Sequence, residues 1–197
     1  MRVTRAAFIV ACILALEGCA AALPMTINHG FVSQDFPLPI AGTRLAALQT
    51  LKRMGTKVNK DERSEDGWTI LAEVGVQKID IKFEALNDNN VRMRVAVSRF
   101  NFIKDLATSN DIIDLTIVEL SHLTFKRIRI ATAQMLLSEL GYDTNYPDGI
   151  LGPKTRNAIL RFQRRNSNRA DGKLNSHLVS ILKKKRDALR AAKNMER

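Results

Sequence analysis

Apolar and polar positions alternate most regularly in the middle of the chain. In QKIDIKFEA, Ile79, Ile81 and Phe83 interleave with Lys78, Asp80 and Lys82. In VRMRVAVSRF, Val91, Met93, Val95 and Val97 interleave with polar positions such as Arg92 and Arg94. A period of two marks a strand with one buried face. The Asp88-Asn89-Asn90 triplet is a turn, so Gln77 to Phe100 is predicted to be a hairpin. WTILAEV, Trp68 to Val74, reads as a further strand. Helical spacing comes before and after. TRLAALQTLKRMG carries Leu45, Leu48, Leu51 and Met54 at three-residue steps and stops on Gly55, and NDIIDLTIVELSHL carries Ile113, Ile117 and Leu120. Residues 35–122 are therefore predicted to form an α+β domain, one antiparallel sheet of about four strands packed on two helices. Asp61, Glu62, Glu65 and Asp66 read as a solvated acidic hairpin loop.

The pattern changes after residue 125. IRIATAQMLLSELGY places Ile130, Ala133, Leu137 and Leu140 on one helical stripe, ended by Gly141. Asp148-Gly149 makes a tight turn, with the aspartate accepting backbone hydrogen bonds and the glycine taking positive φ. Gly152 precedes Pro153, which suits the first turn of a helix, and Ala158, Ile159 and Phe162 form that helix's buried stripe. The unit recurs: DGILGPKTRNAIL from Asp148 is echoed by DGKLNSHLVSIL from Asp171. Asp171-Gly172 matches Asp148-Gly149, and Asn175 stands where a helix N-cap is needed. Residues 125–185 are predicted to be a small all-α three-helix bundle, followed by a basic C-terminal tail, 186–197.

The order Gln134, Leu137, Leu140-Gly141-Tyr142, Asp148-Gly149, Gly152-Pro153, Thr155, Ala158, Phe162-Gln163, Asp171-Gly172 resembles the peptidoglycan-binding domain 1 family over residues 128–183. The resemblance implies a three-helix module that binds cell-wall peptidoglycan without activity of its own and is often joined to wall hydrolases. Ala133 stands where the family often has a larger apolar residue. NSH at 175–177 replaces the glycine and proline of the usual second turn. On this reading Gly141, Asp148, Gly149, Gly152, Pro153, Asp171 and Gly172 shape turns. The polar residues expected to face outward, and so to be candidates for ligand contact, are Tyr142, Asn145, Tyr146, Lys154, Arg156, Asn157, Arg161 and Gln163. Tyrosines can stack on sugar rings, and arginines can pair with stem-peptide carboxylates. By element order and alternating strands, residues 35–120 resemble small bacterial lipoprotein domains of unknown function (the DUF3568 type).

The N-terminus adds a compartment. Arg2 and Arg5 precede an apolar run from Ala6 to Leu16, then small residues, the order of a secretory signal. LEGC, Leu16 to Cys19, resembles the lipobox of bacterial lipoproteins, with Glu17 departing from it. That resemblance implies a signal peptide over 1–18, a lipid on Cys19 and a tether over 19–34. Ordinary cleavage near Ala20 to Ala22 would instead give a soluble secreted protein. Cys12 would leave with the signal, so a mature chain starting at Cys19 has no internal disulfide. His29, His122 and His177 are too scattered for a metal site, and no nucleophile motif is present. The net charge of +11 favours polyanions. Nucleic acid is disfavoured, because no base-stacking aromatics interleave with the lysines of KKKRDALRAAKNMER. The expectation is a non-catalytic, cofactor-free, metal-free cell-envelope lipoprotein that links peptidoglycan to a membrane. Its first domain is free for an envelope partner. The alternative is a soluble secreted wall-binding accessory or a hydrolase-associated protein.

Overall fold

The computed structural model describes residues 25–28, 30–64, 67–100, 103–166 and 170–195. The expected signal, the lipobox and Cys19 lie outside them. Seven strands form one antiparallel sheet: β1 (Thr26–Asn28), β2 (Phe31–Phe36), β3 (Lys57–Ser64), β4 (Gly67–Val74), β5 (Gln77–Asn87), β6 (Asn90–Arg99) and β7 (Ile103–Lys104). The order across it is β1-β2-β6-β5-β4-β3, with β7 paired to the end of β6. The helices are α1 (Ile40–Arg53), α2 (Leu106–His122), α3 (Phe125–Glu139), α4 (Pro153–Arg165) and α5 (Ser176–Met195).

The predicted hairpin is β5 and β6, in register from Gln77↔Arg99 to Asn87↔Asn90. Its apolar set faces one side of the sheet. There Ile79, Ile81, Phe83, Val91, Met93, Val95 and Val97 pack with Leu51 of α1 and Ile112 and Ile113 of α2. Asp105 caps α2, accepting from the Thr108 amide at 3.0 Å. The opposite face of the sheet is charged.

Four strands escaped the hydrophobic pattern. Part of the expected tether is β1 and β2. Asp61 and Glu62 of the expected acidic loop lie instead in β3, and Glu65 and Asp66 lie outside the described residues. β3 is an edge strand reading KVNKDERS, exposed over most of its length. Charge on both faces guards such an edge against pairing with other chains and erases the period of two.

Around α3 the chain closes a second core. Ala133, Leu136 and Leu137 of α3 pack with Ala158, Ile159 and Phe162 of α4 and with Leu178 and Leu182 of α5. The other side of α3 is also covered. Ala131 and Met135 pack with Ala41 and Leu45 of α1, and an added Cβ at Gly42 would meet Ile128 Cγ2 at 3.2 Å. A helix buried on two sides carries apolar residues beyond one stripe, which is why Ile128, Ala131 and Met135 lie off the predicted one. The expected basic tail is helical to Met195, and it docks back on the sheet. Lys183 and Arg186 both reach Asp88 at the β5–β6 turn, at 3.2 and 2.8 Å.

Candidate functional site

Two copies of one local device build the C-terminal unit. In the first, Asp148 Oδ1 accepts from the Ile150 amide at 2.8 Å, and Gly149 turns the chain at φ +73°. The Gln134 side chain, 1% exposed, clasps this turn from α3. Its Oε1 accepts from Gly149 N at 2.9 Å. Its Nε2 donates to Asp148 Oδ1 at 2.9 Å, Ile150 O at 3.1 Å and Thr155 Oγ1 at 3.1 Å. In the second copy Asp171 Oδ1 accepts from Lys173 N at 3.0 Å, and Gly172 turns at φ +66°. Gln163 of α4 clasps it, accepting from Gly172 N at 2.9 Å and donating to Asp171 Oδ1 at 3.0 Å. Each clasp hands the chain to a helix start. Gly152 and Pro153 open α4, and Asn175 Oδ1 accepts from Leu178 N at 2.8 Å to open α5.

Between α3 and the first clasp lies the loop that carries Tyr142, Asn145 and Tyr146, the other five candidates being on α4. Gly141, φ +82°, ends α3, and Tyr142 N donates back to Leu137 O at 2.9 Å. The Tyr142 ring stands edge-on to Phe162, with centroids 5.7 Å apart. Asp143 Oδ1 accepts from Asn145 N at 3.0 Å, which holds Asn145 at φ +61°. Lys154 Nζ donates to Asn145 Oδ1 at 2.6 Å and lies 3.7 Å from Asp143 Oδ2. That backbone hydrogen bond, then the charges of Lys154 and Arg161, hold the Asp143 carboxyl below its usual range. Tyr142, Asn145, Lys154 and Arg161 are thus drawn to one patch around Asp143, with Asn157 on the same exposed side of α4.

Beside that patch a cleft of about 590 Å³ opens over Leu140, Phe162 and Leu189. Tyr142, Arg165, Asn166 and Lys185 line its polar side. Neither Arg165 nor Lys185 closes an ion pair among the described residues. The charged groups offered to a ligand here are all cationic.

Three candidates stand elsewhere. Gln163 is 5% exposed and spends its amide on the second clasp, so it does not face outward. Its sequence equivalence to Gln134, each upstream of an Asp-Gly, was the available signal. Arg156 is five residues from Arg161, about 140° around an α-helix, and joins neither the patch nor the cleft. Tyr146 lies against α1, where its ring covers the Arg44 guanidinium at 4.5 Å. Arg44 is wholly buried. It donates to Asp61 at 2.8 and 2.5 Å and to Pro147 O at 2.8 Å, and its other face meets Trp68 at 4.9 Å. Trp68 Nε1 donates to the same carboxylate. The loop is therefore pinned to the α+β part of the chain by one guanidinium. Asp143, Arg165 and Lys185 had no signal beyond their types, since only the folded loop and α5 bring them together.

Residues 127–182 match the family model described as "Putative peptidoglycan binding domain". No curated protein matches the chain. The boundaries of the match coincide with the structure. Arg127 lies in the first turn of α3, with Nη2 donating to Asp148 O at 3.4 Å, and Leu182 is the last α5 residue in the C-terminal core. Both clasps lie inside the match. Among the described residues no group of His, Cys, Asp and Glu is arranged to hold a metal, and no helix is long and apolar enough to cross a membrane.

Proposed function

We propose that this protein is a non-catalytic cell-envelope lipoprotein that holds peptidoglycan through residues 127–182 and a membrane through lipid on Cys19. The family match over 127–182 carries the first half of the reading. The cationic cleft beside Tyr142 supports it. The apolar floor of Leu140, Phe162 and Leu189 suits methyl groups, and Arg165, Lys185, Lys154 and Arg161 suit carboxylates, which wall stem peptides supply together. The contact set is Tyr142, Asn145, Lys154, Asn157 and Arg161, extended by Arg165 and Lys185. Arg156 is peripheral. Tyr146 and Gln163 serve the fold. The second half rests on Arg2 and Arg5, the apolar run and LEGC ending at Cys19.

Fractionation of the native host tests the anchor. The wild-type chain is expected with membranes after a high-salt wash, and mass spectrometry of its mature N-terminus should show acylated Cys19. Cys19→Ser should leave a precursor or a soluble form, because stable anchoring takes the acyl chains that this residue would carry. A Cys19→Ser protein that stays in the washed membranes would remove lipid from the account.

A further inference from the structure

At one end of the sheet the strands turn back on themselves, and two rows of register define it. Lys57, Glu73, Lys78, Ser98 and Lys104 stand side by side across five strands, and the last row is Val74, Gln77, Arg99 and Ile103. The β4–β5 and β6–β7 turns project beyond it, α1 ends beside it and α2 begins there. Large apolar side chains are exposed at this end: Val58 near the start of β3, Val76 and Phe100 on the two turns, Ile103 in β7 and Leu106 at the start of α2. Val76 is 57% and Phe100 59% exposed. Phe100 also stands at φ +53°, a left-handed backbone that a bulky residue rarely takes and asparagine takes readily. Neither burial nor turn geometry accounts for a phenylalanine at that tip.

Charge here is one-sided. Glu73 and Asp105, the carboxylates at this end among the described residues, are matched by Lys57 at 3.7 Å and Arg99 at 2.9 Å. The next carboxylate inward on β5, Asp80, faces Lys82 at 3.8 Å. Lys52, Lys78 and Lys104 are exposed and close no ion pair among the described residues. Lys104 Cε lies 3.1 Å from where a Cβ on Gly30 would stand, so its stem is packed while its head is offered outward. The C-terminal unit is at the opposite end, where α5 meets Asp88 at the β5–β6 turn. The 11 residues of β5 separate the two ends, about 35 Å. The N-terminus reaches the apolar end. Thr26 pairs Ser33, and Ser33 pairs Arg94, six residues before Phe100 and so about 20 Å from it. Cys19 stands seven residues before Thr26, a run that spans up to about 25 Å.

We propose that this end of the sheet docks on an anionic lipid bilayer. Val76, Phe100, Ile103 and Leu106 enter the interfacial layer. Lys52, Lys78 and Lys104 meet the headgroup phosphates, their stems lying along apolar surface. Apolar tips on separate turns suit a deformable surface, whereas a protein partner would need the packed core of an interface. The contact is made by the protein itself and adds to the acyl anchor, and it points the C-terminal unit away from the membrane. It rests on the lipoprotein reading only for bringing a membrane within reach.

The test is sedimentation with lipid vesicles of the mature chain carrying Cys19→Ser, so that no acyl chain contributes. Vesicles of phosphatidylcholine mixed equally with phosphatidylglycerol should pellet it at low salt, and vesicles of phosphatidylcholine alone should not. High salt should release it, so the washed-membrane test of the acyl anchor still reads the lipid alone. Lys52→Gln with Lys78→Gln and Lys104→Gln should weaken binding about tenfold or more, since each lysine near such a surface counts for about fivefold. The same loss of charge at Lys173, Lys184 and Lys193 should change it little. Phe100→Asn relieves the backbone, so it should melt at or above the wild-type temperature and still sediment with sacculi, yet bind anionic vesicles about fivefold more weakly. No pelleting with anionic vesicles at low salt, equal loss from the two lysine sets, or full binding by folded Phe100→Asn would overturn the assignment. A concentration-dependent dimer in ultracentrifugation that Phe100→Asn removes, with no vesicle binding, would give this end to a second copy instead.

Discussion

Gln134 and Gln163 hold the two Asp-Gly turns of the C-terminal unit. A buried amide that satisfies a turn's N–H and its aspartate leaves both exposed to loss when it is truncated. Gln134→Ala should cost about 2–3 kcal/mol, because four hydrogen bonds lose their partner in a dry site. Gln163→Ala should cost less, about 1 kcal/mol, since its clasp has fewer bonds and Asp171 is exposed. Urea unfolding of the two variants gives both figures. The glycines separate in the same way. Gly149 combines φ +73° with a Cβ position 3.0 Å from Arg127 O and 3.2 Å from Leu45 Cδ1. Gly149→Val should therefore unfold the unit or cost about 3 kcal/mol or more. Gly141 has φ +82° with open space around it, so Gly141→Ala should cost only about 1 kcal/mol. The turns were legible in the sequence because Asp-Gly and Gly-Pro are local signals. The glutamine clasps had only the weaker signal of a glutamine upstream of each Asp-Gly, which does not by itself name the turn as its partner.

At the scale of elements, the β5–β6 hairpin, β4, α1 and α2 followed from period and caps. The elements that did not follow are those whose environment departs from one wet face and one dry face. β3 is charged on both faces, α3 is dry on two sides, and α5 is held by ion pairs with other elements beyond its own stripe. The docking of α5 has a pH signature. Burial pushes the Asp88 carboxyl up, but hydrogen bonds from Arg186 and Lys183 outweigh it and hold the group below the usual carboxylate range. A carboxyl depressed in the folded state contributes stability above its unfolded pKa and loses it as pH falls through the folded one. Amide exchange in Lys183 to Arg190 should therefore quicken below about pH 4, and more than exchange in α4, whose carboxylate partner Asp143 is more exposed and lies 3.7 Å from Lys154. Asp88→Asn should bring that faster exchange to neutral pH. Equal protection of the two helices across the range would show that the ion pairs do not hold α5.

At the scale of the molecule, the sequence suggests two domains in series, whereas α3 packs on α4 and α5 on one side and on α1 on the other, and Arg44 ties the candidate loop to Asp61 and Trp68. Nothing local marks Arg44 for its role, because in sequence a buried arginine in an alanine-rich helix looks like any solvated one. Arg44→Ala should cost about 3–5 kcal/mol, since it leaves the Asp61 carboxylate buried without its cation. It should also loosen the Tyr146–Pro147 segment and so weaken any ligand contact made by the loop. Arg44→Ala with Asp61→Ala should recover part of the stability, and thermal unfolding of the pair checks this.

Wall binding by residues 127–182 is the central claim, and sedimentation with purified peptidoglycan sacculi reaches it most directly. The mature full chain is expected in the pellet at low salt. The variant carrying Lys154→Ala, Arg161→Ala and Arg165→Ala should keep its circular dichroism and its melting curve, because all three side chains are exposed. It should bind about tenfold more weakly, with less dependence on salt. A folded wild-type chain that stays in the supernatant with intact sacculi at low salt would contradict the account.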